Sequence, residues 1–177
     1  MILMKFILYL IKIPVIFFIL TINAYSNEKI VYVDMNSLIN SSKAGTSINN
    51  QMKKILDKNN SEYQSLEKKL RQEEKDLLNK KNVLDPNKYK DEVNIFKNKI
   101  NKLKIERNKE IEDIQKRNVK AKNELVNIVT EILANYSAEN QIKLVLNKES
   151  IILGIKTIDI TNEILALLDK KVKKIKF

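Results

Sequence analysis

Asp34 is the carboxylate best placed to do chemistry, because it directly follows the apolar run Ile30–Val33 and precedes a helix-like run. A carboxylate at a strand end could bind a metal ion or a phosphoryl group if other acids, hydroxyls or glycines converged on it. The next residues, Met35, Asn36 and Ser37, supply neither a second acid nor a glycine-rich phosphate loop. We therefore predict that Asp34 caps a helix at a strand-to-helix junction by accepting backbone N–H groups.

Three pairs of adjacent acids are the other candidates for acid–base catalysis. They are Glu73-Glu74, Asp91-Glu92 and Glu112-Asp113. Neighbouring helical residues point about 100° apart, and on a solvated, lysine-rich stretch burial cannot tune their pKa values. The chain also lacks Cys and His, which removes thiol nucleophiles, imidazole bases and the usual zinc ligands. We predict that the protein is not an enzyme and has no cofactor or metal.

Residues 1–26 are predicted to be a signal peptide. Lys5 and Lys12 lie in an otherwise apolar start, and Ala24-Tyr25-Ser26 offers the small residues that a signal peptidase requires. Cleavage after Ser26 would release an exported chain that begins at Asn27. The alternative is an uncleaved membrane anchor, although the apolar run is shorter than the roughly 20 residues that a spanning helix needs.

The charge of the chain restricts its partners without choosing one. The formal net charge is +11, or +9 once the two lysines of the signal peptide are subtracted. Most of this excess lies between Lys53 and Lys120, which contain 20 basic and 13 acidic residues. Such a surface can attract nucleic acid, anionic lipid or acidic proteins. Nucleic acid is the least expected, because five of the eleven Phe and Tyr residues lie in the signal peptide, which leaves few platforms for base stacking.

Between Gly45 and Gly154 the one strong helix breaker is Pro86, so the sequence predicts long helices. The first helix carries residues at alternating spacings of four and three, the heptad pattern of a coiled-coil seam, with Asn59 and Glu73 as polar interruptions. Its predicted apolar seam residues are Met52, Leu56, Tyr63, Leu66, Leu70 and Leu77. A seam of this kind requires a partner helix.

The partner helix is predicted to begin at Pro86 with Asp85 as its cap, so that the chain reverses at this tip. Its predicted seam residues are Val93, Phe96, Ile100, Leu103, Ile111 and Ile114. Two successive four-residue steps at Arg107 and Ile111 form a stutter, which locally unwinds a supercoil and marks a place for flexing. Residues 46–140 are thus predicted to form an antiparallel helical hairpin that projects as an arm, each helix on the order of 50 to 70 Å long.

On both sides of the arm the sequence changes to short apolar runs that are typical of strands. We predict strands at Ile30–Val33, Ile142–Leu146 and Ile151–Ile155, the last two joined by a four-residue hairpin loop, and a final helix capped by Asp159 or Thr161. Residues 27–45 and 141–177 would then form a β-rich body with a very small core, whose strand edges are expected to pair with another chain. Its predicted association residues are Ile30, Tyr32, Val145, Leu146, Ile151 and Leu153.

Taken together, these segments resemble the Skp/OmpH family of periplasmic chaperones. The resemblance rests on KIVYVDMNSLINSSKAG at residues 29–45, on the charged helical hairpin, and on Asp159-Ile160-Thr161 with leucines after it. It implies an α+β, mostly α, periplasmic protein that forms a homotrimer with a shared body and three coiled-coil arms around a cavity. It also implies that the cavity holds unfolded outer-membrane β-barrel proteins before their insertion. Gly154-Ile155-Lys156 departs from the family pattern.

Two lysine clusters complete the list of candidate binding residues. Lys80, Lys81, Lys88 and Lys90 lie near the arm tip and are predicted to attract acidic clients, anionic lipid or lipopolysaccharide, a solubilising surface being the alternative. Residues 170–177 add five lysines and are expected to be mostly solvated, with an anionic membrane surface as the alternative.

The absence of a nucleotide-binding motif makes the predicted chaperone an ATP-independent holdase. Three rival functions remain open on the residues alone. The first is a coiled-coil scaffold of the cell envelope, the second a basic nucleic-acid-binding protein, which the export signal disfavours, and the weakest is an enzyme that works without His or Cys.

Overall fold

The structure is a computed structural model that describes residues 28–177, so the predicted signal peptide lies outside the described residues. The helices and strands are β1 (Lys29–Val33), α1 (Met35–Ser41), α2 (Lys43–Lys80), α3 (Pro86–Glu139), β2 (Ile142–Asn147) and α4 (Thr161–Lys171). Single 3₁₀ turns lie at Lys148–Ser150 and Lys156–Ile158. Within residues 28–177 no helix is long and apolar enough to cross a membrane.

The two long helices pack against each other as an antiparallel hairpin, the predicted arm. At 1.5 Å per residue the 38 residues of α2 span about 57 Å and the 54 residues of α3 about 81 Å. The reversal between them is as predicted, because Pro86 opens α3 and Asp85 Oδ1 accepts the backbone N–H of Asn87 at 2.9 Å. The basal part of α3 continues into the body.

The body contains a parallel pair of strands, β1 and β2. Parallel neighbours need a long crossover connection, and here α1 and the whole arm provide it. Along the pair Ile30 lies opposite Leu144 and Tyr32 opposite Leu146. Val31 and Val33 point to the other face, where they are 1% and 2% exposed beneath the helices.

The predicted strand Ile151–Ile155 is wrong for the described chain. After β2 the chain forms a 3₁₀ turn and then an irregular segment, in which Ile152 and Leu153 are almost fully exposed. A strand needs a neighbour to take its backbone hydrogen bonds, and residues 28–177 offer this segment none. Asp159 instead forms a single parallel bridge with Tyr32 at the second edge of β1. The backbone N–H of Ile160 donates to the carbonyl oxygen of Tyr32 there at 3.0 Å.

The core is larger than the strands alone would allow, and the body is richer in helix than expected. Fully buried side chains come from β1, α1, the bases of both arm helices and α4. They include Val31, Leu38, Ile48, Leu125, Val129, Ile164 and Leu168. The core therefore takes in the basal turns of the hairpin, so the arm is anchored in the body along both of its helices.

Gly45 is required where α1 meets α2. A Cβ at this position would lie 1.9 Å from the carbonyl oxygen of Ile39, which leaves no room for any side chain. The close approach sets the sharp bend at Ser42, whose buried hydroxyl oxygen accepts the N–H of Gly45 at 3.1 Å and caps α2. Ser42 and Gly45 together fix the direction in which the arm leaves the body.

Candidate functional site

Asp34 lies at the junction between β1 and α1 and caps α1, which confirms the prediction. Its Oδ1 accepts the backbone N–H of Ser37 at 2.8 Å, and its Oδ2 lies 3.2 Å from the ammonium of Lys148. The hydrogen bond from Ser37 lowers the pKa of the Asp34 carboxyl group, and Lys148 acts in the same direction. Asp34 therefore holds a junction together.

Thr161 also ties this junction, a role that the sequence did not reveal. Its hydroxyl oxygen accepts the backbone N–H of Asp34 at 2.9 Å, across 127 residues of chain. The carboxylate of Asp159 in turn accepts the backbone N–H of Thr161 at 3.0 Å, so Asp159 serves the start of α4, although Ile160 occupies the cap position itself. Side-chain hydrogen bonds of this kind are not encoded in periodicity.

The outer face of the sheet carries three of the six predicted association residues, Ile30, Tyr32 and Leu146. Ile30 is 42% exposed and its register partner Leu144 47%, and Leu146 lies next to them. Tyr32 points to the same face but is covered, because the Gly154 backbone packs on its ring. Val145 instead packs against the core, while Ile151 is half-buried and Leu153 exposed. The structure thus assembles an apolar outer patch of Ile30, Leu144 and Leu146 beside the exposed segment 152–155.

The predicted arm seam is only partly buried. Tyr63, Leu77 and Ile114 are buried between the helices, whereas Leu66 and Ile100 are 39% and 40% exposed. The other predicted seam residues are half-buried, namely Met52, Leu56, Leu70, Val93, Phe96, Leu103 and Ile111. Two helices share a single contact line, so they cannot enclose side chains of this size.

A polar cluster interrupts the middle of the seam at the predicted stutter. The guanidinium of Arg107 lies 5.4 Å from the centre of the Tyr63 ring and 3.0 Å from the carboxylate of Glu67. Asn59, a predicted interruption, donates to the carboxylate of Glu110. Burial raises the pKa of the Tyr63 hydroxyl, and the charge of Glu110 adds to the effect. The helices are therefore joined here by directional polar contacts rather than by interlocking apolar side chains.

The lysines of the predicted basic tip do not share one role. Lys80 pairs with Glu92 across the hairpin at 3.1 Å, while Lys81, Lys88 and Lys90 are exposed. Among them lie apolar side chains, with Leu78 58% and Val83 83% exposed. The tip therefore offers positive charge next to exposed apolar surface.

Among residues 28–177 no group of three His, Cys, Asp or Glu side chains is placed to hold a metal ion. The fold and its surfaces define an α+β protein that carries a long helical arm and exposes apolar side chains on both the arm and the sheet. The chain matches the family profile described as "Outer membrane protein (OmpH-like)" over residues 29–168, and it belongs to the OmpH-like family. This membership supports a chaperone role in general terms.

A solved structure shares the same fold. It is the crystal structure of a protein from Caulobacter crescentus CB15 that is provisionally described as an outer membrane chaperone (OmpH-like), with a TM-score of 0.79 and 19% sequence identity. The match covers 84% of this chain and 88% of that chain. No curated protein matches the chain. The identity is low, so this likeness is evidence for the fold alone.

Proposed function

We propose that the protein is an ATP-independent periplasmic holdase, which binds unfolded outer-membrane β-barrel proteins and prevents their aggregation before insertion. The observation that carries the proposal is a projecting arm on which five apolar side chains along the helices are 39% to 68% exposed. These residues are Leu66, Ile95, Ile100, Ile105 and Val119. Apolar side chains spread along a solvated arm offer many weak contacts to an unfolded chain.

The proposed assembly is a homotrimer in which three arms surround the client. The support for self-association is the apolar outer patch of the sheet, since Ile30 and Leu144 lie exposed side by side and need a cover. Replacing the exposed Ile30 and Leu144 with Glu should dissociate the oligomer, because two charges would be buried in its interface. Native mass spectrometry measures this directly, and Lys143→Glu, exposed on β2, is the matched control. A double variant that keeps the trimer mass contradicts the proposed interface.

The exposed tip lysines are proposed to capture partners over a distance. Lys81, Lys88 and Lys90 project into solvent, and Lys80 only partly, because it pairs with Glu92. Long-range attraction of this type raises association rates and weakens with salt. Anionic lipid and lipopolysaccharide are further partners for this tip, and co-sedimentation with vesicles that contain or lack anionic lipid tests them.

The holdase proposal is tested with the chain from Asn27 onward. A urea-unfolded outer-membrane β-barrel protein is diluted into buffer with and without a several-fold molar excess of the chain, and light scattering is followed. We expect scattering to be suppressed without ATP and a complex to appear by native mass. Asp34→Asn should protect the client as well as the native chain does, because Asp34 touches only the junction. Unchanged aggregation at this excess refutes the proposal.

An envelope scaffold is the alternative favoured by the length of the arm, since α3 alone spans about 81 Å. A scaffold could act as an extended rod, whereas a holdase must surround its client. Small-angle scattering separates the two, because a trimer with a hollow between its arms and an extended dimer differ in their radius of gyration and native mass.

A further inference from the structure

Residues 172–177, which we call the tail, are docked on the arm, contrary to the expectation that they are mostly solvated. The chain leaves α4 at Val172 in an extended conformation, with φ −140° and ψ 126°. Ile175 is 3% exposed and belongs to the core, and Phe177 packs against it. The ring of Phe177 lies 5.7 Å from the guanidinium carbon of Arg117 on α3.

Two contacts with α3 give the path of the tail. Lys171 Nζ pairs with Glu131 at 2.8 Å, and Phe177 reaches Arg117, fourteen residues nearer the arm tip. Fourteen helical residues rise by about 21 Å, and six extended residues span about 20 Å. The tail therefore runs along α3 toward the arm tip, with one bend at Lys173.

The tail is held as a peptide strand would be held in a groove. Gln51 on α2 donates from its side-chain amide to the carbonyl oxygen of Ile175 at 3.0 Å. Ile175 and Phe177 face inward, while Lys174 and Lys176 are exposed. Apolar residues at alternate positions are the pattern of an extended chain with one buried face. The hairpin thus binds the tail through one main-chain contact and two apolar side chains.

The groove continues beyond Phe177. Its next part is a surface cleft between α2 and α3, and Arg117, which contacts Phe177, is also part of its lining. Ile55 lies one turn beyond Gln51 on the same side of α2, and Ile114 lies about one turn beyond Arg117 on α3. Lys58, Glu62 and Asp113 line the same cleft, so its charge is mixed. The surface that holds the tail therefore extends toward the arm tip.

We propose that this groove between the arm helices is a binding site for extended polypeptide with apolar residues at alternate positions. The tail fills its basal end in cis, and a segment of an unfolded β-barrel protein, whose strands carry this alternation, displaces the tail. The displacement of the tail by a client rests on the proposed holdase function. The binding of an extended peptide in the groove is independent of that function.

The groove is tested first without a client. The full chain from Asn27 carrying Ile175→Ser and Phe177→Ser is titrated with a fluorescent peptide, KKVKKIKF, at 150 mM salt or above, so that charge contributes little. We expect saturable binding by anisotropy, at least about tenfold tighter than to the native chain, whose groove is filled, because two apolar side chains are buried. The same peptide with Ser in place of its Ile and its Phe should bind at least about tenfold more weakly.

Adding Arg117→Ala to the doubly substituted chain should weaken its binding of the peptide. Adding Arg71→Ala should leave the binding unchanged, because Arg71 is exposed elsewhere on the arm. Circular dichroism checks that each variant keeps its helix content. If the double variant is unfolded, the single variant Phe177→Ala takes its place in the titration. Absent binding, or equal binding of the apolar and serine peptides, overturns the proposal.

Displacement is tested with a dye on the tail. The chain has no Cys, so Lys176→Cys gives a unique labelling position on an exposed residue, and Lys88→Cys at the tip is the matched control. Adding an unfolded β-barrel protein should lower the anisotropy of the tail dye, because the tail is released. If scattering shows that the client is protected while the tail dye does not respond, displacement is refuted and the holdase stands. If the peptide binds but no client is protected, the holdase fails and the groove stands.

Discussion

Replacing Gly45 with Ala is expected to destabilise the protein by about 3 kcal/mol. The added Cβ would lie 1.9 Å from the carbonyl oxygen and 2.8 Å from the carbonyl carbon of Ile39. These atoms belong to the backbone, so a rotamer change cannot relieve the clash and α1 must move away from α2. We therefore place the cost at the upper end of the roughly 1 to 3 kcal/mol that overpacking typically causes. Movement also breaks the Ser42 cap, which adds about 1 kcal/mol, and the better helix propensity of Ala returns about 1 kcal/mol.

Urea unfolding followed by circular dichroism measures this loss. The chain from Asn27 is unfolded at several protein concentrations, because an oligomer that dissociates on unfolding has a concentration-dependent midpoint. Thr46→Ala is the matched control, since Thr46 is exposed one residue further along α2, and a surface change of this kind stays within about 0.5 kcal/mol. A Gly45→Ala variant as stable as the Thr46→Ala variant would show that α1 and α2 do not approach this closely.

Three further substitutions test the caps and the polar cluster. Asp85→Ala should cost the arm about 1 kcal/mol at its tip, seen as faster amide exchange around residues 80–90. Arg107→Ala removes its contacts with Tyr63 and Glu67 and should raise amide exchange at mid-arm several-fold, while exchange in the body stays unchanged. The pKa of Asp34 is lowered on folding, so above pH 5 the native chain should have a higher urea midpoint of unfolding than the Asp34→Asn variant. That advantage should shrink as the pH falls through the depressed pKa, below about 3.8; a difference independent of pH down to 2 contradicts it.

The features that the sequence predicted correctly are local ones. Asp34 and Asp85 are each followed directly by a helix start, so their cap roles depend on residues within three positions. Pro86 similarly marks the first turn of α3 because its ring fixes φ and its missing N–H is not needed there. The heptad spacing predicted two facing helices because it places the apolar residues of each helix along one side, and the two apolar sides can pack together.

The features that the sequence missed depend on distant contacts. Ile151–Ile155 has the composition of a strand, but composition does not supply a neighbour, and within residues 28–177 this segment has none. The tail has only three apolar residues among its lysines, too few for a periodicity to show, and it docks because α2 and α3 already form a groove. Thr161 contacts Asp34 across 127 residues. Each of these depends on the assembled core rather than on the sequence around the residue.

The arm is a crossover connection of the sheet, and this links the direction of the arm to the proposed assembly. β1 leads into α1 and α2 through Asp34 and Ser42, and α3 returns to β2 through Asn140 and Gln141 alone. Gln141 has φ 55°, a conformation that non-glycine residues adopt at a cost, so this connection is tightly held. A second chain that covers the outer patch of the sheet would fix the strand direction and, through this short connection, the base of α3. Under the proposed holdase function, loosening of the arm by a client should concentrate at Arg107 and Tyr63, where the polar cluster interrupts the seam.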